Sequence, residues 1–202
     1  MDAVFEATIQ VLLVFGPRRL TTTRVAERAG VSVGTLYQYF PNKQALFYAL
    51  NERYLEALAE RIECACLAQH GGPIETMIQA LVDTYWKAKT ERADVTRALY
   101  QSVAEIDNGP LIEAFGRRVD AATTAMFASS KTVVENLATV NLTLVTTIFG
   151  TVRSVFERNL RPAEGEAVRQ ELISMCVAYT AALGTPPAGT IVETSLASQE
   201  RG

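Results

Sequence analysis

The sequence is poor in the residues on which most metal proteins and many enzymes depend. Of its 202 residues, one is histidine (His70) and three are cysteines. These are too few ligands for a zinc site, so we predict no metal and no cofactor. The sequence also lacks a phosphate-binding loop and a nucleophile motif. An enzyme is one class of protein to consider, and no motif in the sequence supports it.

A targeting sequence and a membrane span are also missing. Asp2 and Glu6 interrupt the N-terminus, so we expect no signal peptide. The uncharged stretch from Leu137 to Val152 is 16 residues long and holds Asn141 and five threonines. Such a stretch is too short and too polar to cross a bilayer. We expect a soluble, cytoplasmic protein with no membrane partner.

Positive charge is scarce overall but locally concentrated. The net charge of −3 excludes a uniformly basic nucleic-acid binder. Between Gly16 and Leu50, however, five basic residues accompany one acid, Glu27, so this window carries +4 and the remainder −7. A basic end on an acidic body is typical of a protein that touches DNA through one end. Ordinary fluctuation over a short window is the alternative explanation.

The periodicity of the apolar residues predicts an all-α fold. Hydrophobic residues make up 49% of the chain and recur at helical spacing, with almost no β-type alternation. We predict a three-helix head (1–48), a helical regulatory and dimerisation body (49–184) and a flexible tail (185–202). A long helix from Asn42 to Ala68 is expected to join the head to the body and to be the only continuous element that reaches the DNA-binding end.

The segment around residues 21–40 has the spacing of a helix-turn-helix motif. Thr21 is suited to cap one helix, Ser32 the next, and Asn42 a third. Gly30 lies where a chain leaving a helix needs a left-handed residue. Pro41 separates the second helix from the third. A unit of this kind places its second helix in the major groove of DNA.

The second motif helix has one core face and one exposed ridge. Leu36 and Phe40 lie together and point to a core, whereas Gly34 and Gln38 lie opposite, with Thr35 beside them. Glycine allows the backbone to approach DNA closely. A glutamine amide can pair with adenine N6 and N7, and a threonine methyl can contact a thymine methyl. This ridge is predicted to read base edges.

Two tyrosines flank the ridge. Tyr37 and Tyr39 lie about 100° to either side of it, so their hydroxyls can reach the phosphates on the two groove walls. The helix N-terminus after Ser32 is a further phosphate site. A small amphipathic helix with two surface tyrosines is the alternative interpretation.

This segment resembles the DNA-binding domain of the TetR family of transcriptional regulators. The resemblance covers roughly the first quarter of the chain, and Pro17 departs from it because the family usually has an aromatic residue there. The matching residues are Ala7, Gly16, Thr21, Thr22, Val25, Ala26, Ala29, Gly30, Val31, Ser32, Gly34, Thr35, Leu36, Tyr37, Tyr39, Phe40 and Lys43.

The resemblance implies a homodimer that binds a pseudo-palindromic operator in double-stranded DNA and responds to a small-molecule effector. We therefore expect a transcriptional regulator, most simply a repressor that an apolar or amphipathic ligand releases from its operator. The expected DNA contacts, which combine the family positions with Arg24 and Gln38, are Thr22, Arg24, Ser32, Val33, Gly34, Thr35, Tyr37, Gln38, Tyr39 and Lys43.

The last two helices are apolar beyond a single stripe. We place them at Lys131–Arg158 and Glu166–Leu183. A helix that is apolar on both sides needs cover on both sides, which a second subunit or the chain's own core can provide. The family forms its dimer through the last two large helices. The expected interface residues are Leu144, Ile148, Phe149, Val152, Phe156, Leu172, Met175, Cys176 and Tyr179.

The middle helices carry large amphipathic side chains that can line an internal pocket. The same side chains can equally form ordinary core. The residues expected to line the pocket are Tyr85, Trp86, Tyr100, Gln101, Phe115, Arg118 and Met126. A second possibility within the DNA-binding class is a thiol sensor that uses Cys64, Cys66 or Cys176, although free cysteines are usually small core residues.

Overall fold

The predicted all-α fold is confirmed by a computed structural model, which describes residues 1–103, 106–132 and 134–183. These residues form nine α-helices and no strand. The side chain of Gln101 and the predicted tail (185–202) lie outside the described residues. The helices are α1 (Asp2–Arg19), α2 (Thr22–Ala29), α3 (Val33–Tyr39), α4 (Lys43–Ala68), α5 (Ile74–Thr90), α6 (Ala93–Ser102), α7 (Gly109–Ala128), α8 (Leu137–Glu157) and α9 (Pro162–Leu183).

The helix-turn-helix segment is held by the capping residues that the sequence predicts. Thr21 Oγ1 accepts a hydrogen bond from the backbone N–H of Arg24 at 3.3 Å, and Ser32 Oγ accepts one from Thr35 at 2.9 Å. Gly30 ends α2 in the left-handed conformation, with φ 70° and ψ 28°. Only glycine enters this region without a steric penalty. The turn between α2 and α3 therefore follows from local chemistry.

The head packs α1, α2 and α3 around the first turns of α4. Leu36 of α3 and Phe47 of α4 are almost completely buried there, together with Val25 and Ala26 of α2. Asn42 caps α4 by accepting a hydrogen bond from the N–H of Ala45 at 2.8 Å. Since α4 continues far beyond the head, the predicted boundary at residue 48 falls inside one uninterrupted helix and stays a prediction.

The body is built around α4, α5, α7 and α8, with α9 packed along α5 and α8. Its core contains Ile62 of α4, Ile78 of α5, Phe127 of α7 and Ile148 of α8, each 2% exposed or less. Cys176 of α9 completes this core. Every body helix therefore covers an apolar face of its neighbours.

Besides the continuous helix α4, a second contact joins the head to the body. Helix α6 packs against α1, and a small cluster of Leu50, Val95 and Leu99 closes this junction. Phe5 and Ile9 of α1 pack against the same cluster. The apolar face of α6 thus forms a second contact between body and head, which helical periodicity alone could not assign to a partner.

Two predicted helix starts differ from the structure, and α1 contains a kink. Helix α8 begins at Leu137 instead of Lys131, after Asn136 in the left-handed conformation with φ 53°. Helix α9 begins at Pro162 instead of Glu166, because proline fits the first turn of a helix, where its missing N–H leaves no bond unmade. In α1 the helix continues past a kink at Gly16, where φ is 72°.

Among the described helices, α8 alone is long and apolar enough to meet the length and hydropathy criteria for a membrane span. About 44% of the apolar 18-residue stretch within α8 is buried inside the fold. Core helices of globular proteins meet the same criteria, so this property is weak evidence for a membrane.

Candidate nucleic-acid interface

Helix α3 presents the ridge that its sequence predicts. Leu36 and Phe40 are buried in the head, at 1% and 7% exposure. Gly34, Thr35 and Gln38 are exposed. The buried pair fixes the rotation of α3, so the three exposed residues face outwards as one surface.

Tyr37 is held in place by a hydrogen bond to the preceding helix. Thr22 of α2 is buried, and its Oγ1 donates to the Tyr37 hydroxyl at 3.1 Å. The phenol can then use its own hydrogen for an outside acceptor such as a phosphate oxygen. Tyr39, on the other flank of the ridge, is 62% exposed. Thr22 therefore fixes the position of the exposed Tyr37 hydroxyl from within the fold.

Two of the basic residues expected at DNA are also used inside the head. Arg24 Nη1 donates to the carbonyl of Arg19 at 2.6 Å, and its guanidinium lies 4.6 Å from the centre of the Phe15 ring. Lys43 Nζ donates to the carbonyl of Pro17 at 3.2 Å. Both side chains brace the α1–α2 connection at the site where the sequence departs from the family pattern. Their contact with DNA stays a prediction.

The N-terminus of α3 lies beside this surface. Ser32 is exposed, but its hydroxyl is engaged as the cap and lies 2.8 Å from Thr35 Oγ1. Val33 is half-buried and packs against the head core. Their roles at DNA, like those of the other expected contact residues, stay predictions.

In the body, the aromatic residues expected at a pocket come together only in part. The rings of Tyr85 and Phe149 stack with their centres 4.0 Å apart, and Phe115 lies 6.0 Å from the same Phe149 ring. Tyr100 meets Phe156 edge to face at 6.5 Å. These contacts form two aromatic groups, one that joins α5, α7 and α8 and one that joins α6 and α8.

Of the remaining residues expected at the pocket, Arg118 lines a small cavity together with Phe115. Arg118 forms a two-pronged ion pair with Glu63, with both N–O distances 2.7 Å, and lines an outer cavity of about 520 Å³ between α4 and α7. Met126 borders that same cavity. The Trp86 ring packs close to Gly165 of α9. A ligand pocket lined by the predicted residues stays a prediction.

Lys89 was missed by the sequence analysis, although it is the most unusual side chain in the body. It is 3% exposed, and its Nζ lies 4.7, 5.3 and 5.0 Å from the ring centres of Tyr54, Tyr85 and Tyr100. Burial, with a smaller contribution from Arg153, lowers the pKa of Lys89 to about 7. Its position four residues after Tyr85, on the buried face of α5, is the sequence signal that could have revealed it.

Most of the residues expected at a dimer interface are buried by their own chain. Met175 is 52% exposed, and Phe149 and Tyr179 are half-buried. The core of the single chain accounts for the burial of the other six, and their place in a dimer interface stays a prediction. The six buried residues are Leu144, Ile148, Val152, Phe156, Leu172 and Cys176.

The cysteines bear on the thiol-sensor hypothesis. Cys66 is buried, and burial with the nearby Glu63 raises the pKa of its thiol to about 11. Burial also raises the pKa of Cys176. Because the thiolate is the reactive form, neither is suited to sensing. Cys64 is exposed, and thiol sensing through it stays a prediction.

No group of three or more metal-ligating side chains occurs in the part of the chain that the structure describes.

Two family models match the sequence. The model for the N-terminal region of bacterial regulatory proteins of the tetR family covers residues 4–50. The model described as tetracyclin repressor-like, C-terminal domain, covers residues 73–179, which is more than half of the chain.

Curated relatives align over part of the chain. The nucleoid occlusion factor SlmA of Haemophilus ducreyi is 32% identical over 96 residues, 48% of this chain and 46% of that protein. SlmA of Glaesserella parasuis is 34% identical over 84 residues, 42% of this chain and 40% of that protein. The chain thus spans less than half the length of these curated relatives.

Solved structures share the whole fold. A TetR-family regulator from Mesorhizobium loti superposes with a TM-score of 0.71 at 15% identity, covering 91% of this chain and 96% of that one. The fatty acid degradation regulator FadR from Bacillus halodurans superposes with a TM-score of 0.62 at 16% identity, covering 85% and 97%. At these identities the likeness concerns the fold alone.

Proposed function

The chain belongs to the TetR family of transcriptional regulators, and from this membership we propose that it is a repressor that binds a pseudo-palindromic operator as a homodimer and is released by a small ligand. The observation that supports operator binding most directly is the exposed ridge of α3. Gly34, Thr35 and Gln38 lie outwards on a helix whose opposite face is locked into the head by Leu36. Donors and methyl groups on an exposed helix are what base reading in the major groove requires.

The dimer is proposed to form through the exposed faces of α8 and α9, which pack against each other within one chain. Leu142 is 59% exposed on α8, and Met175 is 52% exposed on α9. Small exposed residues accompany them, including Thr146 and Gly150 on α8 and Ala178 on α9. Small side chains allow two helices to approach closely, and large apolar residues gain stability when a second chain covers them.

Release by a ligand is proposed to act at the junction between head and body. A cavity of about 240 Å³ lies there, lined by Ile9 of α1, Tyr54 of α4, Ala88 of α5 and Thr96 of α6. A ligand in this cavity contacts α1 of the head and three body helices together. It is therefore placed to change the angle between head and body.

Replacing Gln38 by alanine is expected to change which operator bases matter. Removal of an amide that pairs with adenine should cost roughly 1–3 kcal/mol of binding free energy at the cognate site and relax the preference at one position of each half-site. The measurement is the affinity for a selected operator and for single-base variants of it, at one fixed salt concentration. Unchanged sequence preference would show that Gln38 does not read bases.

The matched control is Tyr39→Phe. Its hydroxyl is expected to contact a phosphate, so its loss should weaken binding to all duplexes alike, because phosphates carry no sequence information. Both residues are exposed on α3, so neither substitution should disturb the head core.

A further inference from the structure

Lys89 is a buried cation without a counter-ion in the described part of the chain. Its ammonium is surrounded by the rings of Tyr54, Tyr85 and Tyr100. No carboxylate in residues 1–103, 106–132 and 134–183 forms an ion pair with it. The nearby cation that influences it is Arg153, which is already paired with Glu157 at 2.7 Å. Aromatic rings compensate only part of the cost of removing an ammonium from water.

A second polar group beside this ammonium lacks a partner. The hydroxyl oxygen of Tyr100 is buried with no partner within hydrogen-bond distance, although the neighbouring Tyr85 hydroxyl influences its pKa, and the centre of its ring lies 5.0 Å from Lys89 Nζ. Buried polar atoms are nearly always hydrogen-bonded, so an unpartnered hydroxyl beside an unpaired ammonium indicates a missing acceptor. Both groups can donate, and an anionic oxygen can accept from both.

Lys89 lies behind the lining of the cavity at the head–body junction and contacts two residues of that lining. Tyr54 and Thr96, which line the cavity, also touch Lys89: the Tyr54 ring faces Nζ, and Thr96 Oγ1 donates to the Lys89 carbonyl at 3.0 Å. Their two hydroxyls are 3.4 Å apart, a long and weak contact. The charged residues at the cavity mouth are already paired, Arg61 with Glu91 and Arg92 with Glu6. Among the described residues, Lys89 is thus a buried cation near the cavity that forms no ion pair.

We propose that Lys89 and the Tyr100 hydroxyl bind the carboxylate of a small amphipathic acid whose apolar part occupies the cavity between α1, α4, α5 and α6. This inference rests on the proposed function, because it names the chemical class of the releasing ligand. One ammonium matches a singly charged carboxylate better than a doubly charged phosphate. The cavity of about 240 Å³ is below the roughly 300–1,000 Å³ of typical ligand pockets, so the acid is small.

The test uses sodium octanoate as the probe and isothermal titration calorimetry as the measurement. Octanoate is expected to bind the full-length protein, and Lys89→Met should lower its affinity at least tenfold. The uncharged octanamide should bind more weakly and be insensitive to Lys89→Met. Lys87→Met, at an exposed lysine of the same helix, is the matched control and should bind octanoate like the native chain.

The pH dependence provides an independent readout. The pKa of Lys89 is about 7 in the free protein, so its ammonium is lost as the pH rises above 7. Octanoate stays ionised in this range, so its affinity should fall by up to about tenfold per pH unit between pH 7 and 9. The facing tyrosines have raised pKa values and remain neutral, whereas Arg153 remains charged. In Lys89→Met this dependence should disappear.

Three results would overturn the inference: no binding of octanoate at millimolar concentration, equal binding of octanoate and octanamide, or an octanoate affinity that is independent of both Lys89 and pH. If Lys89→Met does not fold, two other measurements test whether this site binds a carboxylate. They are the octanoate affinity of Tyr100→Phe and the comparison of octanoate with octanamide in the native protein. Octanoate should also weaken operator binding, and an unchanged operator affinity would exclude it as an effector class. Operator binding by the unliganded protein tests the proposed function separately.

Discussion

Replacing Thr146 by glutamate is expected to convert the dimer into monomers and to reduce operator affinity by about 100-fold or more. Thr146 is exposed on α8, between Leu142 and Gly150 on the same helix. A carboxylate there would be buried without a partner in the dimer, which is strongly unfavourable. A monomer carries one reading head, so it loses the effective concentration that links two half-site contacts.

The measurement is sedimentation velocity at micromolar concentration together with operator titration. Gln79→Glu is the matched control, because it adds the same charge at an exposed position of α5, outside the proposed interface. It should remain dimeric with native affinity. Both variants should keep the native thermal stability of the single chain. A Thr146→Glu protein that sediments as a dimer and binds normally would remove α8 from the interface.

Leu99→Ala is expected to loosen the head on the body as well as to destabilise the fold. Leu99 is 3% exposed and packs with Leu50 and Val95 where α6 meets α1. Truncating a buried leucine typically costs about 2–5 kcal/mol. Because this leucine joins the head to the body, the separation of the two α3 helices in the dimer should become more variable, and operator affinity should fall with it.

The separation can be measured by electron paramagnetic resonance between spin labels at Gln38→Cys of the two protomers. Cys64→Ser removes the exposed native thiol, whereas burial protects Cys66 and Cys176. Leu81→Ala is the matched control, because Leu81 is equally buried but belongs to the body core. Its distance distribution should stay narrow. A releasing ligand should increase the distance, and release at constant distance would refute this switch.

The head was predictable because its determinants are local. The caps at Thr21, Ser32 and Asn42 and the left-handed Gly30 each depend on residues within four positions in sequence. The exposed ridge follows from the 100° rotation per residue once Leu36 is assigned to the core. The fold class and the geometry of α3 could therefore be predicted from the sequence before any three-dimensional contact was known.

The body was less predictable because its features depend on contacts between distant helices. Helical periodicity places Leu144 and Ile148 on one apolar face of α8. It cannot tell whether their own chain or a second chain covers that face. The environment of Lys89 requires Tyr54 from α4 and Tyr100 from α6, two helices whose positions around α5 no local pattern specifies. Similarly, no local sequence pattern indicates that α6 packs on α1.

The central claim is that two copies of α3, held at a fixed separation by the dimer, read two half-sites in double-stranded DNA. The most direct measurement is selection of bound duplexes from a random library by the full-length protein, followed by sequencing. We expect an inverted repeat whose half-site centres are about 10 base pairs apart, or a multiple of that spacing. Enrichment of no sequence, or of a single half-site without its inverted partner, would contradict the account.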